Sequence, residues 1–275
     1  MRLNRPGWSK VPEVITALFW IVKVLTTAQG EATSDYFVHA INPYLAVVGA
    51  GIVFLGVMAL QLRVHRYVAG IYWLAVTMVA IFGTMCADAL HIQLGVPYWA
   101  STVGFAIAVA VIFWAWHRTE GTLSIHSIVT PRRELFYWAA VLATFALGTA
   151  WGDLMAFTLG LGFLTAGIVF AVVIAVPALA HRFAAMNSVL AFWFAYVITR
   201  PLGASFADWM GFPRSAGALG WGHGTVSIGF TLLIIGCVAY LSASRIDRAP
   251  EPSHQAPGRT PAATGEPALA STDRQ

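Results

Sequence analysis

Long apolar runs broken by short polar links occupy most of the chain, at approximately 12–35, 43–63, 67–88, 98–117, 133–153, 157–181, 186–208 and 222–243. Crossing a hydrocarbon core takes about 20 helical residues at about 1.5 Å of rise each, and every run meets that length. The alternating pattern of a barrel strand is absent, so closed helices are what satisfies this much backbone in lipid. The pattern predicts an all-α, polytopic membrane bundle of eight transmembrane helices.

The odd-numbered runs are copies of one another. In WIVKVLTTAQGEATSD a Trp is followed by Gly ten residues on and by Asp five beyond that. The spacing recurs without an indel as Trp20/Gly30/Asp35, Trp73/Gly83/Asp88, Trp138/Gly148/Asp153 and Trp193/Gly203/Asp208. Each Trp follows an aromatic residue: Phe19, Tyr72, Tyr137 or Phe192. The even-numbered runs are blander, with Gly and Ala at spacings that permit close packing. The chain is therefore four tandem helical hairpins, about 12–63, 67–117, 133–181 and 186–243, within one transmembrane domain over 1–244. Residues 245–275, with five prolines and scattered charge, predict a disordered cytoplasmic tail. Two helices per repeat make all copies cross in the same direction, so the four Asp share one depth around an axis along the membrane normal.

Composition agrees with a membrane protein: 58% of residues are hydrophobic and 10% charged, where soluble domains carry about a quarter charged. Most Lys and Arg precede the first helix, lie between even and odd helices, or follow the eighth, whereas the opposite loops hold only Arg214. The positive-inside rule then places both termini in the cytoplasm and the loops at 36–42, 89–97, 154–156 and 209–221 outside. The basic balance reflects topology and gives no sign of nucleic acid. The polar start MRLNRPGWSKVPE runs into the first repeat without a cleavage site, which reads as a retained first helix. Cys86 and Cys237 suggest neither a disulfide framework nor a metal knuckle.

The segments FWIVKVLTTAQGEATSDY, GDLMAFTLGLGF and FWFAYVITRPLGASFADW resemble those of a bacterial membrane-anchored family built from four tandem copies of a two-helix repeat of unknown function. The resemblance covers about residues 10 to 243. It implies a bacterial multi-pass protein of the cytoplasmic (inner) membrane, and carries over no activity and no catalytic residue.

Candidate chemistry lies in charges at membrane depth, since a charge there costs at least about 2.5 kcal/mol on insertion scales. Those residues are Lys23, Glu31, Arg200 and the four repeat acids Asp35, Asp88, Asp153 and Asp208. Each Asp is expected at a helix C-terminus, where carbonyls already present partial negative charge, so a cation, a proton or a basic partner would relieve it. The competing reading has each Asp cap the turn into the next helix. Glu31 stands where the other repeats have Thr84, Thr149 and Ala204, and Arg200 where they have Thr27, Ala80 and Phe145. In a ring of four, the first and fourth repeats are neighbours, which brings Glu31 and Arg200 within reach of each other. His39 and His91 follow Asp35 and Asp88 closely, a pattern that suits a transition metal without specifying one. The repeat Trp are expected in an interfacial belt and the repeat Gly at close helix crossings.

No nucleophile elbow, P-loop, dinucleotide fingerprint or HExxH occurs. The reading is of a non-enzymatic protein without a cofactor, whose partners are the lipid bilayer and a small cationic solute or proton. Transport or permeation of that solute is favoured. A non-transporting scaffold or sensor is the alternative, with a membrane-embedded enzyme third.

Overall fold

The computed structural model describes residues 9–248. Among the described residues nine α-helices follow in order: α1 (Ala17–Ala40), α2 (Pro43–Arg63), α3 (Ala69–Ile92), α4 (Tyr98–Glu120), α5 (Pro131–Asp153) with a π-helical extension Leu154–Thr158, α6 (Gly162–Val173), α7 (Ala175–Phe183), α8 (Ser188–Gly211) and α9 (His223–Ser244). α6 and α7 are the two halves of one bent rod, broken at Ile174. Side-chain caps set several starts. Thr16 Oγ1 accepts from Phe19 N, Asn42 from Tyr44 N and Leu45 N, Thr130 from Arg133 N, and Asn187 from Val189 N and Leu190 N.

Seven rods are long and apolar enough to cross a membrane: α2, α3, α4, α5 with its extension, α6 with α7, α8 and α9. The chain is thus a multi-pass membrane protein. α1 is as long, at 24 residues, but buries Lys23, Thr26, Thr27, Gln29, Glu31, Thr33 and Ser34, so its polarity faces inward.

Packing is a closed double ring. α1, α3, α5 and α8 touch in sequence, and α8 returns to α1, forming an inner ring of the four Trp/Gly/Asp helices. The second helix of each hairpin leans on the inner helix of the next repeat: α2 on α3, α4 on α5, α6 and α7 on α8, and α9 back on α1. Outer helices turn Leu45, Ile52, Val103, Ile107, Val172, Ile228 and Leu232 outward, the surface a hydrocarbon solvent accepts.

Identical register gives the inner helices one repeated contact. The repeat glycine of each helix faces, on the next helix around the ring, the residue seven after that helix's Trp. Gly30 meets Ala80, Gly83 meets Phe145, Gly148 meets Arg200, and Gly203 meets Thr27. At Gly148 and Gly203 an added Cβ would overlap Arg200 or Thr27, so glycine is what lets the helices approach this closely.

The expected helix ends move. The inner helices continue beyond the Asp, to Ala40, Ile92, Thr158 and Gly211, so the third loop at this end is 159–161 rather than 154–156. The first residues of the expected tail, 245–248, are described and are held against the start of the chain. Asp247 O accepts from Glu13 N at 3.0 Å and Val14 N at 3.1 Å, and Asp247 Oδ2 accepts from Tyr67 at 2.5 Å. This ties the turn after α9 to the segment before α1. Residues 249–275 of the expected tail lie outside the described residues.

Candidate functional site

The ring interior is a stack of levels, each built from equivalent positions of α1, α3, α5 and α8. At the Trp end, Tyr72 and Tyr137 share a 2.6 Å hydrogen bond, and Trp73, Trp138 and Trp193 are buried around them. Phe19 packs on Trp73 and Phe192 to complete the layer. Three of the four repeat Trp are therefore core residues and do not form an interfacial belt; only Trp20 is partly open. The amphipathic ring that suits a headgroup layer equally fills the wide end of a helical ring.

Midway along the ring, Arg200 reaches from α8 and bonds to all three other inner helices. Its Nη2 lies 2.5 Å from Glu31 Oε2 and 2.7 Å from Thr149 Oγ1, and also donates to Thr84 Oγ1. Its Nη1 donates to Thr27 O at 3.1 Å. Glu31, Thr84 and Thr149 are the same repeat position on α1, α3 and α5, so the guanidinium sits close to the pseudo-fourfold axis. Arg200 is 1% exposed and Glu31 4%. A buried pair survives best when further hydrogen bonds satisfy its remaining donors and acceptors; here Thr84, Thr149 and Thr27 O share the two Nη groups with Glu31, while Arg200 Nε is left without a partner. Pro201, which cannot donate along α8, follows at once.

One level toward the Trp end lies Lys23, fully buried, its Nζ 3.9 Å from the Phe145 ring centre and 4.2 Å from that of Tyr196. No hydrogen bond reaches Nζ. Lys23 is not near enough to Glu31 to pair, as its eight-residue offset predicted; among the described residues the Phe145 and Tyr196 faces are what compensates it. Arg200 also approaches the Phe145 ring, its Cζ 5.5 Å from the same centre.

At the opposite end the four repeat acids gather. Asp35, Asp88, Asp153 and Asp208 lie within electrostatic range of one another and of Glu31. Asp153 and Asp208 are buried, Asp35 and Asp88 half-buried. Ser34 donates to Asp88 Oδ2 at 3.5 Å, while Asp208 Oδ1 has no hydrogen-bond partner. The acids do not cap the next helices: α2 is capped by Asn42, and α4 and α9 start without a side-chain cap. Five carboxylates thus face one guanidinium.

His223, which the sequence left remote, enters this cluster because α9 packs on α1. Its Nδ1 lies 3.2 Å from Asp35 Oδ2. His91 does not: its Nδ1 is 2.8 Å from Val96 O and its Nε2 3.2 Å from Ser101 Oγ. His39 keeps its Nδ1 2.7 Å from Asp35 O and its ring parallel to that of His223. A second ion pair, of the buried Glu134 with the partly exposed Lys10 and also missing from the sequence reading, lies at the Trp end. There Lys10 Nζ is 2.6 Å from Glu134 Oε2 and donates to Leu62 O, while Gln61 donates to Glu134 Oε1. An acidic residue in the first turn of α5 was the available signal, being favoured at a helix N-terminus.

A model of the repeat of unknown function DUF347 matches the chain four times, over 18–67, 71–122, 136–186 and 191–247, each match being one inner helix with the outer helix that follows it. No curated protein and no solved structure matches. With four copies covering most of its length, the chain belongs to the DUF347 repeat family.

Proposed function

We propose that the protein moves a small cation across the bacterial cytoplasmic membrane, with eight crossing helices, both termini in the cytoplasm and the Asp end outward. What supports this is the gathering of Asp35, Asp88, Asp153 and Asp208 at one end of a closed ring, with Glu31 inward of them, against one guanidinium, that of Arg200, from the inner helices among the described residues. Such an imbalance in a low-dielectric wall concentrates cations or protons at the entrance. Inward of it the axis is closed by the Arg200–Glu31 tie, then Phe145 with Lys23, then the aromatic layer. Passage requires the tie to open, so the pair acts as a gate whose two halves come from the first and fourth repeats. The reading contains no catalytic step, no cofactor and no nucleic acid.

One observation favours the alternative, a membrane scaffold. A side chain bonded to three neighbouring helices is also what a permanent cross-tie would look like. Liposomes carrying the purified chain decide between them. Influx of protons, Mn²⁺ or Zn²⁺ that falls at least about 10-fold in Asp208→Asn supports conduction. Influx equal to empty liposomes for all three ions overturns it in favour of the scaffold.

A further inference from the structure

At the Asp end one departure from four-fold symmetry brings together three possible metal ligands. Asp35, Asp208 and His223 each offer one ligand atom, all within 4.8 Å of one another, from three different helices, α1, α8 and α9. It is the one such grouping of three among the described residues. Asp208 is 6% exposed, and its Oδ1 is buried without a hydrogen-bond donor. A carboxylate oxygen taken from water and given nothing in return is costly. His223 Nδ1 is likewise buried without a hydrogen bond, standing 3.2 Å from Asp35 Oδ2. Around a tetrahedral ion with bonds of about 2.0–2.1 Å, neighbouring ligand atoms lie about 3.3 Å apart.

Neighbours at the end of α8 bound the imidazole. It meets Phe212 edge-on at 4.8 Å between ring centres, and lies parallel to the His39 ring at 6.4 Å between centres. It also lies flat on Gly211, where an added Cβ would come within 2.6 Å of Nδ1. Any side chain at 211 would push the ring away from the two carboxylates. His91 differs, since both nitrogens of its ring are engaged, by Val96 O and Ser101 Oγ.

We propose that Asp35, Asp208 and His223 bind one divalent first-row transition metal ion, with water in the remaining coordination positions. Two carboxylates neutralise the ion's charge, and the imidazole favours Zn²⁺, Mn²⁺ or their neighbours over Mg²⁺ and Ca²⁺. The proposal rests on the reading of the acidic end as a cation entrance and names the class of cation that enters.

The test is titration of the detergent-solubilised full chain with Zn²⁺ by calorimetry, and with Co²⁺ by visible absorption. One ion per chain is expected, with His223→Gln and Asp208→Asn each weakening it at least about 10-fold, the lower end of what even outer-shell losses cost. His223→Asp, which restores an oxygen ligand, should recover part of the affinity and change the Co²⁺ spectrum. His91→Gln should match the unaltered chain. Equal affinity in His223→Gln, or an equal loss in His91→Gln, overturns the site. Melting curves of each variant separate lost ligation from lost folding, and the His223→Asp spectrum keeps the test decisive if Asp208→Asn unfolds. One-to-one Zn²⁺ binding without influx in liposomes overturns transport and leaves the site standing. Cation influx without one-to-one Zn²⁺ binding does the reverse.

Discussion

Glu31 and Arg200, 169 residues apart in sequence, meet at 2.5 Å across the centre of the inner ring. Opposite charges inside a membrane protein are stable only as a pair, so each residue alone is a liability. Removing either, as Glu31→Gln or Arg200→Gln, should cost about 3–5 kcal/mol by stranding the other, while the double variant is milder. Thermal melts in detergent of the two singles and the double measure this. Additive losses would mean that the pair is not an energetic unit.

Lys23 predicts the opposite sign. Its ammonium gains about 2 kcal/mol from aromatic faces at best, against a desolvation penalty of several kcal/mol per buried ion. Lys23→Met, which fills similar volume without charge, should therefore leave the melting temperature unchanged or raise it. A drop as large as that of Arg200→Gln would show a polar partner for Nζ that the structure lacks.

The repeat glycines give a graded test of packing. Gly148→Ala and Gly203→Ala push a methyl into Arg200 and Thr27, and overpacking of this kind costs about 1–3 kcal/mol. Gly49→Ala on α2, where an added Cβ meets nothing within 4 Å, should be neutral. Melts of the three variants check the ranking; equal losses at all three positions would refute close approach as the cause.

Orientation follows from the basic loops and is measured by labelling. In a chain with Cys86 and Cys237 replaced by Ser, His126→Cys should resist an impermeant thiol reagent on intact cells, and Ser215→Cys should react. Both positions are exposed, so burial cannot explain a difference. The reverse pattern would invert the protein in the membrane.

The ring was legible in the chain because Trp, Gly and Asp keep one register through four copies, and equal register in parallel helices means equal depth. The Glu31–Arg200 meeting followed from the same argument, since first and fourth repeats adjoin when four hairpins close. What stayed hidden depends on residues outside the Trp/Gly/Asp motif. His223 reaches Asp35 only because α9 leans on α1, a contact that no spacing encodes. Lys10 meets Glu134 through a segment lying outside every copy of the motif. The Trp were misplaced because an indole satisfies a lipid interface and a buried aromatic layer equally well. The helix ends were set about a turn too early, because an apolar run ends where polarity begins while the helix itself runs on past the Asp.

The seam between α9 and α1 has a consequence for how the chain is ordered. Every outer helix leans forward onto the following repeat, and the last leans onto the first, so no hairpin is intrinsically the beginning. The segment before α1 and the turn after α9 are hydrogen-bonded neighbours, Glu13 and Val14 to Asp247. A permuted gene that joins Arg248 to Ser9 through a short Gly/Ser link and opens the chain at the exposed Gly121 should build the same ring. Connectivity is then a matter of where synthesis starts, and the molecule behaves as a circle cut at one of four equivalent places.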